Sequence, residues 1–208
     1  MAPYQEDKSM AETRAGPDTL RGKPSVPLIG LLIVQMIIGY EWLISGIAKF
    51  AAGNFASGLA DALVAKTAQT AGWYTSFLNN IVIPNGIAFG YLIETAEVLV
   101  GIALIVGPLL WIFAWDRVSD RMRSTVLLLM IVASLGGVFM ALNFHVANAG
   151  NHPWTLPDSG FDEGIDVDLV LSGIQIVIVV VQIFVLNGLR RKRTAAVAAT
   201  SQVKQSAS

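Results

Sequence analysis

Residues Gly86–Phe113 read GIAFGYLIETAEVLVGIALIVGPLLWIF, an apolar run whose only charges are Glu94 and Glu97. Crossing a hydrocarbon core about 30 Å thick takes roughly 20 mainly apolar residues in a helix, so this run is long enough to span. Three others match it: Leu28–Ala48, interrupted by Glu41, and the charge-free Ser124–Phe144 and Leu169–Leu189. A backbone in lipid must satisfy its own hydrogen bonds, which favours helices. Transmembrane strands would show alternation over stretches of about ten residues, and these runs do not. The expected fold is all-α, a four-transmembrane-helix bundle.

Composition agrees. The chain of 208 residues is 54% hydrophobic and 14% charged, where soluble domains are nearer 25% charged. Most of it therefore does not face water. A net charge of −1 leaves no electrostatic footprint for nucleic acid. With no cysteine, the chain can form no disulfide, thiolate metal site, iron–sulfur cluster or cysteine relay of its own.

Direction follows from the basic residues. Lys8, Arg14, Arg21 and Lys23 precede the first run, Arg117, Arg121 and Arg123 lie between the second and third, and Arg190, Arg191, Lys192, Arg193 and Lys204 follow the fourth. Four spans place all of these on one side and leave Lys49 and Lys66 on the other, with Asp158, Asp162, Glu163, Asp166 and Asp168. This predicts a multi-pass protein of the plasma membrane with both termini cytoplasmic. The first run is longer than the apolar part of a secretory signal, and reads as an uncleaved span.

Three parts are expected: a disordered polar tail over 1–24, a membrane domain over 25–190, and a basic, flexible tail over 191–208. The tail's positive cluster suits an anionic leaflet. In the first outer loop, Phe55, Leu59, Ala62 and Leu63 recur at helical spacing ahead of Trp73, Tyr74 and Phe77. That predicts a short amphipathic helix, either a membrane-anchoring cap or a lid over a site between the helices. The second outer loop, with Pro153, Trp154 and Pro157, reads as ordered but irregular.

Carboxylates in a span are costly and usually face protein or a cavity. Glu41, Ser45 and Lys49 stand at i, i+4 and i+8 on one face of the first helix. Gly90, Glu94, Glu97 and Gly101 form a stripe on the second, Gly136, Gly137 and Asn143 on the third, and Ser172, Gln175 and Gln182 on the fourth. Counted along the helices, Glu41, Glu94 and Gln175 lie roughly 10–15 Å below the outer end, which predicts one polar pocket opening outward. The alternative is a hydrogen-bond network that fixes helix packing. Glu94 and Glu97 would repel if both were ionised, so the spacing favours one neutral acid, able to donate a hydrogen bond to a quinone or another carbonyl. His145 and His152 fall at or beyond the end of the third run, and no other run holds a histidine. Neither haem nor a metal is expected. Without a glycine-rich dinucleotide loop, flavin and nicotinamide are not expected either.

From Gly39 to Gly150 the chain resembles the DoxX/DoxD family of small four-helix membrane proteins. Three places carry the resemblance: Gly39-Tyr40-Glu41-Trp42-Leu43-Ile44-Ser45-Gly46-Ile47-Ala48-Lys49-Phe50, then Trp73-Tyr74 and Phe77-Leu78 with Val82-Ile83-Pro84-Asn85 and Glu97-Val98-Leu99-Val100-Gly101, then Asn143-Phe144 with Ala147 and Gly150. The resemblance implies a role in membrane redox chemistry, as a subunit of a thiosulfate:quinone oxidoreductase or of a related thiol or sulfur complex. By matching position it carries over Lys49, Glu97 and Asn143, and less closely Trp42 and Glu41. Glu94 has no place in the family pattern, and the loop over 151–168 is longer and more acidic than that pattern.

The expected chemistry centres on Glu97, Glu41 and Lys49, with Trp42, Glu94, Asn143 and Gln175 holding a quinone. The expected partners are the lipid bilayer and either a second redox subunit or another copy of the chain. Two further classes stay open: a non-catalytic scaffold docking a redox enzyme, and a small proton-coupled transporter or lipid-binding protein.

Overall fold

The computed structural model of the chain describes residues 26–68, 70, 72–148 and 167–206. Six α-helices are present among them: α1 (Val26–Ala52), α2 (Phe55–Thr67), α3 (Gly72–Phe77), α4 (Gly86–Ala114), α5 (Asp120–Ala147) and α6 (Val167–Ser206). No strand occurs among the described residues. Helices α1, α5, α6 and the rod from Gly72 through α4 to Arg117 are long and apolar enough to cross a membrane. The expected tail over 1–24 and most of the loop over 151–168 lie outside the described residues.

Lipid tails are as apolar as leucine, so contact between spans depends on close packing and interhelical hydrogen bonds. α1 packs chiefly on α4, α5 on α6, and α4 joins the two pairs through α5. Small residues set the α1–α4 approach. A Cβ on Gly101 would stand 2.5 Å from the Leu43 nitrogen, and one on Gly39 2.8 Å from Leu104 Cβ. Across the bundle Gln182 Nε2 donates to Gln35 Oε1 at 3.0 Å, a bond of about 1 kcal/mol between membrane helices.

We call the end carrying α2 and α3 the cap end, and the other the tail end. At the tail end, Trp111 and Trp115 stack at 4.6 Å within an apolar cluster that includes Leu32, Leu127, Met130 and Leu186. The short link into α5 is closed by Ser119, whose hydroxyl accepts from the Met122 amide, and by Arg123, whose Nε donates to the Trp115 carbonyl at 3.0 Å. The backbone of α6 runs as helix to Ser206, where composition suggested a flexible tail from 191 onward. Its alanines are strong helix formers, and they continue a helix already nucleated in the span.

At the cap end, Gly53 ends α1 with φ +69, a conformation only glycine adopts without strain. That turn lays α2 back across the start of α4. A Cβ on Gly90 would meet Ala56 Cα at 2.4 Å, and one on Gly86 would meet Ala60 Cβ at 2.8 Å. α3 then runs through a π-turn, Leu78–Val82, and a 3-10 turn, Ile83–Asn85, into α4. Pro84 sits at the front of that second turn, where a missing amide is tolerated.

Candidate functional site

The cap covers one side of a partly open cavity of about 610 Å³ against α4 and α5. Its wall includes Phe55, Leu59 and Leu63 of α2, Tyr74 and Phe77 of α3, Ala96 and Val100 of α4, and Gly136, Phe139 and Asn143 of α5. The wall is predominantly apolar, and Lys49 brings an ammonium to it.

Lys49 is held on three sides. Its Nζ donates to Glu97 Oε2 and to Ser45 Oγ, each at 2.6 Å, and lies 5.3 Å from the centre of the Phe55 ring. The ammonium side chain is 21% exposed and the Glu97 carboxylate is 0% exposed. The lysine therefore faces the cavity, while the acid stands behind it as a counter-charge. Removing either partner of a buried pair costs far more than the intact pair contributes, because it leaves an uncompensated charge.

Polar bonds fasten the cap to α5. Tyr74 Oη donates to Asn143 Oδ1 at 2.9 Å, and Asn143 Nδ2 donates back to the Phe139 carbonyl at 2.7 Å. Lys66 Nζ donates to Asn148 Oδ1, and Thr70 Oγ1 donates to the Ala147 carbonyl at 3.3 Å. Of the loop's aromatics, Phe55, Tyr74 and Phe77 stand on the cavity wall, whereas Trp73 is exposed and does not line it.

The residues singled out by sequence do not all converge. Lys49, Glu97 and Asn143 are brought to the cavity or directly behind it. Trp42 is buried in the bundle centre, 6.3 Å from Phe144 between ring centres, and is not on the wall. Gln175 is 0% exposed, with its amide against Gly137. Glu94 is 3% exposed, on the face of α4 whose carbonyl would meet a Cβ at Gly46. Glu41 is exposed on the outside of α1, away from Lys49, because eight residues of helix do not complete a whole number of turns. His145 is buried, and His152 lies outside the described residues.

Lys66, Phe139 and Gly136 were not assigned to a site from the sequence. Only Gly136 carried a signal, as part of a small-residue stripe. The direct Lys49–Glu97 contact was also missed, because nothing in the sequence gives the α1–α4 register. No protein-family model, curated protein or solved structure matches this chain.

Proposed function

We propose that this chain is the membrane subunit of a quinone-linked oxidoreductase and that its cavity holds the quinone. The observation that carries the reading is a mainly apolar cavity with two lysines on its wall, Lys49 and Lys66, the first anchored by the buried Glu97 carboxylate. A volume of about 610 Å³ falls within the roughly 300–1,000 Å³ of small-molecule sites, which pair an apolar lining with a few placed polar groups. A prenyl or alkyl tail suits the aromatic and aliphatic wall. A carbonyl suits Lys49 Nζ as donor, with the Tyr74–Asn143 pair nearby for a second oxygen. Glu97 acts here through Lys49, fixing its position and charge, rather than by touching the quinone.

The resemblance adds a donor class, thiosulfate or a related thiol or sulfur compound, and an orientation with the cap end outward, in keeping with the basic residues at the tail end. Lys49 would then also draw an anionic donor toward that end. The chain has no cysteine to relay electrons from such a donor, so a partner subunit or direct transfer to bound quinone completes the reaction. The exposed Glu41 on α1 suits a face covered by that subunit or by a second copy.

Binding of a short-tailed quinone to the purified chain in nanodiscs tests this reading. Wild type should bind saturably, one quinone per chain. Gly136→Leu should abolish binding while keeping the fold, since a Cβ there meets only Val100 Cγ2 at 3.8 Å and the rest of the side chain enters the cavity. Glu41→Gln should bind as wild type does. Equal binding by Gly136→Leu and wild type would contradict the assignment, and competition by a fatty acid but not by quinones would favour a lipid-binding protein.

A further inference from the structure

Apart from the ion pair and the Gln35–Gln182 bond, the bundle interior holds buried side-chain atoms with no hydrogen-bond partner. These are Glu97 Oε1, Trp42 Nε1, both polar atoms of Gln175, Ser134 Oγ, Gln35 Nε2 and Gln182 Oε1. Their residues are 0–4% exposed. Buried polar groups are almost always paired, with protein or with ordered water, and each orphan needs a physical account.

Helix register shows that they form a series. Gly101 stands level with Leu43, Gly39 with Leu104, and Gly136 with Val100. The Gln175 amide, which lies against Gly137, is therefore at about the depth of Val100, and Trp42 is one residue beyond Gly101 toward the tail end. Glu97 is one turn from Val100 toward the cap end. Ser134, two residues before Gly136, is level with Trp42, and Gln35 is one turn beyond Gly39. At roughly 1.5 Å per residue, the Glu97, Gln175 and Trp42–Ser134 levels are about 3–5 Å apart, a step that one water spans when it bonds to a group on each side. Gln35 lies about 9 Å beyond Ser134, a step of two waters. All four spans contribute, α1 through Trp42 and Gln35, α4 through Glu97, α5 through Ser134, and α6 through Gln175 and Gln182. Pro108 adds a backbone acceptor, since it lacks the amide that would bond the Leu104 carbonyl within α4.

We propose that the bundle core is a water-binding site, a column of bound waters running from the free oxygen of Glu97 past Trp42, Gln175 and Ser134 to the Gln35–Gln182 pair. A buried water requires two to four polar partners, and the unpartnered groups of adjacent levels would supply them from facing helices. Beyond the glutamine pair the apolar cluster of Leu32, Trp111, Leu127 and Leu186 closes the column at the tail end. The column is thus a blind branch that solvates the buried carboxylate, not a path through the membrane. The proposal stands whether or not the cavity takes a quinone.

Radiolytic hydroxyl labelling in H₂¹⁸O, on the wild-type chain in nanodiscs, tests it directly. Label forms where water lies against a side chain. Trp42, 4% exposed, should take up ¹⁸O at a rate within the range of Trp73, 71% exposed, and that rate should fall several-fold in Gln175→Leu. A Trp42 that stays unlabelled while Trp73 reacts would overturn the proposal, and this arm needs no variant to fold. Ser134→Ala gives an independent sign. Losing a water-bound hydroxyl lowers thermal stability, whereas losing a dry, unpaired one raises it, so a raised melting temperature would also overturn the column.

Discussion

Lys49→Met is expected to lower the thermal stability of the purified chain sharply, and Lys49→Met/Glu97→Met to restore most of it. In the wild type the two charged atoms lie 2.6 Å apart, and the carboxylate has no exposure to solvent. Taking away the ammonium strands that carboxylate in the bundle, an effect of about 3–5 kcal/mol for buried pairs. Replacing both partners by apolar side chains of similar volume removes the stranded charge as well, and such replacements are often neutral or stabilising. Glu97→Gln should fall between, because the amide oxygen still accepts from Lys49 and the lysine retains Ser45. Melting curves of the four proteins in one lipid system decide the matter. A double variant no more stable than Lys49→Met would mean that the loss does not come from the stranded carboxylate. Quinone binding should be lost wherever Lys49 is absent, whatever the stability.

The second large effect is expected at Gly90. A methyl group there would stand 2.4 Å from Ala56 Cα and 2.9 Å from Ala56 Cβ, and the first of these is backbone, which cannot swing aside. Gly90→Ala must push α2 off α4, opening the cavity from its cap side. Overpacking of this kind costs about 1–3 kcal/mol, and displacement of α2 should abolish saturable quinone binding. Gly58→Ala, on α2 itself, meets nothing within 4 Å and should raise stability by up to about 1 kcal/mol, the usual difference in helix propensity. Melting temperature and quinone titration on the two variants separate packing from propensity. Wild-type binding by Gly90→Ala would show that α2 does not need its close seat on α4.

The four spans were legible because a membrane dictates length and apolarity residue by residue, and Gly86–Phe113 could hardly be anything else. The outermost parts were less so. Leu28–Ala48 became Val26–Ala52 because the terminal turns of a helix can be polar or small without breaking it. The cap was half legible: Phe55, Leu59 and Leu63 showed helical spacing, but an apolar face suits lipid and a cavity wall equally. What seats α2 on α4 is the close approach of Gly86 and Gly90 to Ala60 and Ala56, which the spacing does not reveal.

Within the site, the residue types were readable and their pairing was not. Lys49 and Glu97 belong to helices whose relative rotation depends on Gly39, Gly46 and Gly101 packing against particular neighbours. Glu41 shows the limit from the other side. Sequence places it with Ser45 and Lys49, yet the helix turns it outward, away from the cavity. Gln175 and Trp42 were grouped with a ligand because polar atoms inside a membrane suggest one, whereas their surroundings join them to the bundle's interior.

The central claim is that the cavity beneath α2 and α3 holds a quinone beside Lys49, and photo-crosslinking tests it most directly. An azidoquinone irradiated with the wild-type chain in nanodiscs should label peptides containing Phe55–Tyr74 and Phe139–Phe144, with labelling suppressed by excess unlabelled quinone and absent in Gly136→Leu. Label confined to the lipid-facing sides of α1 or α6, or label that excess quinone does not suppress, would contradict it.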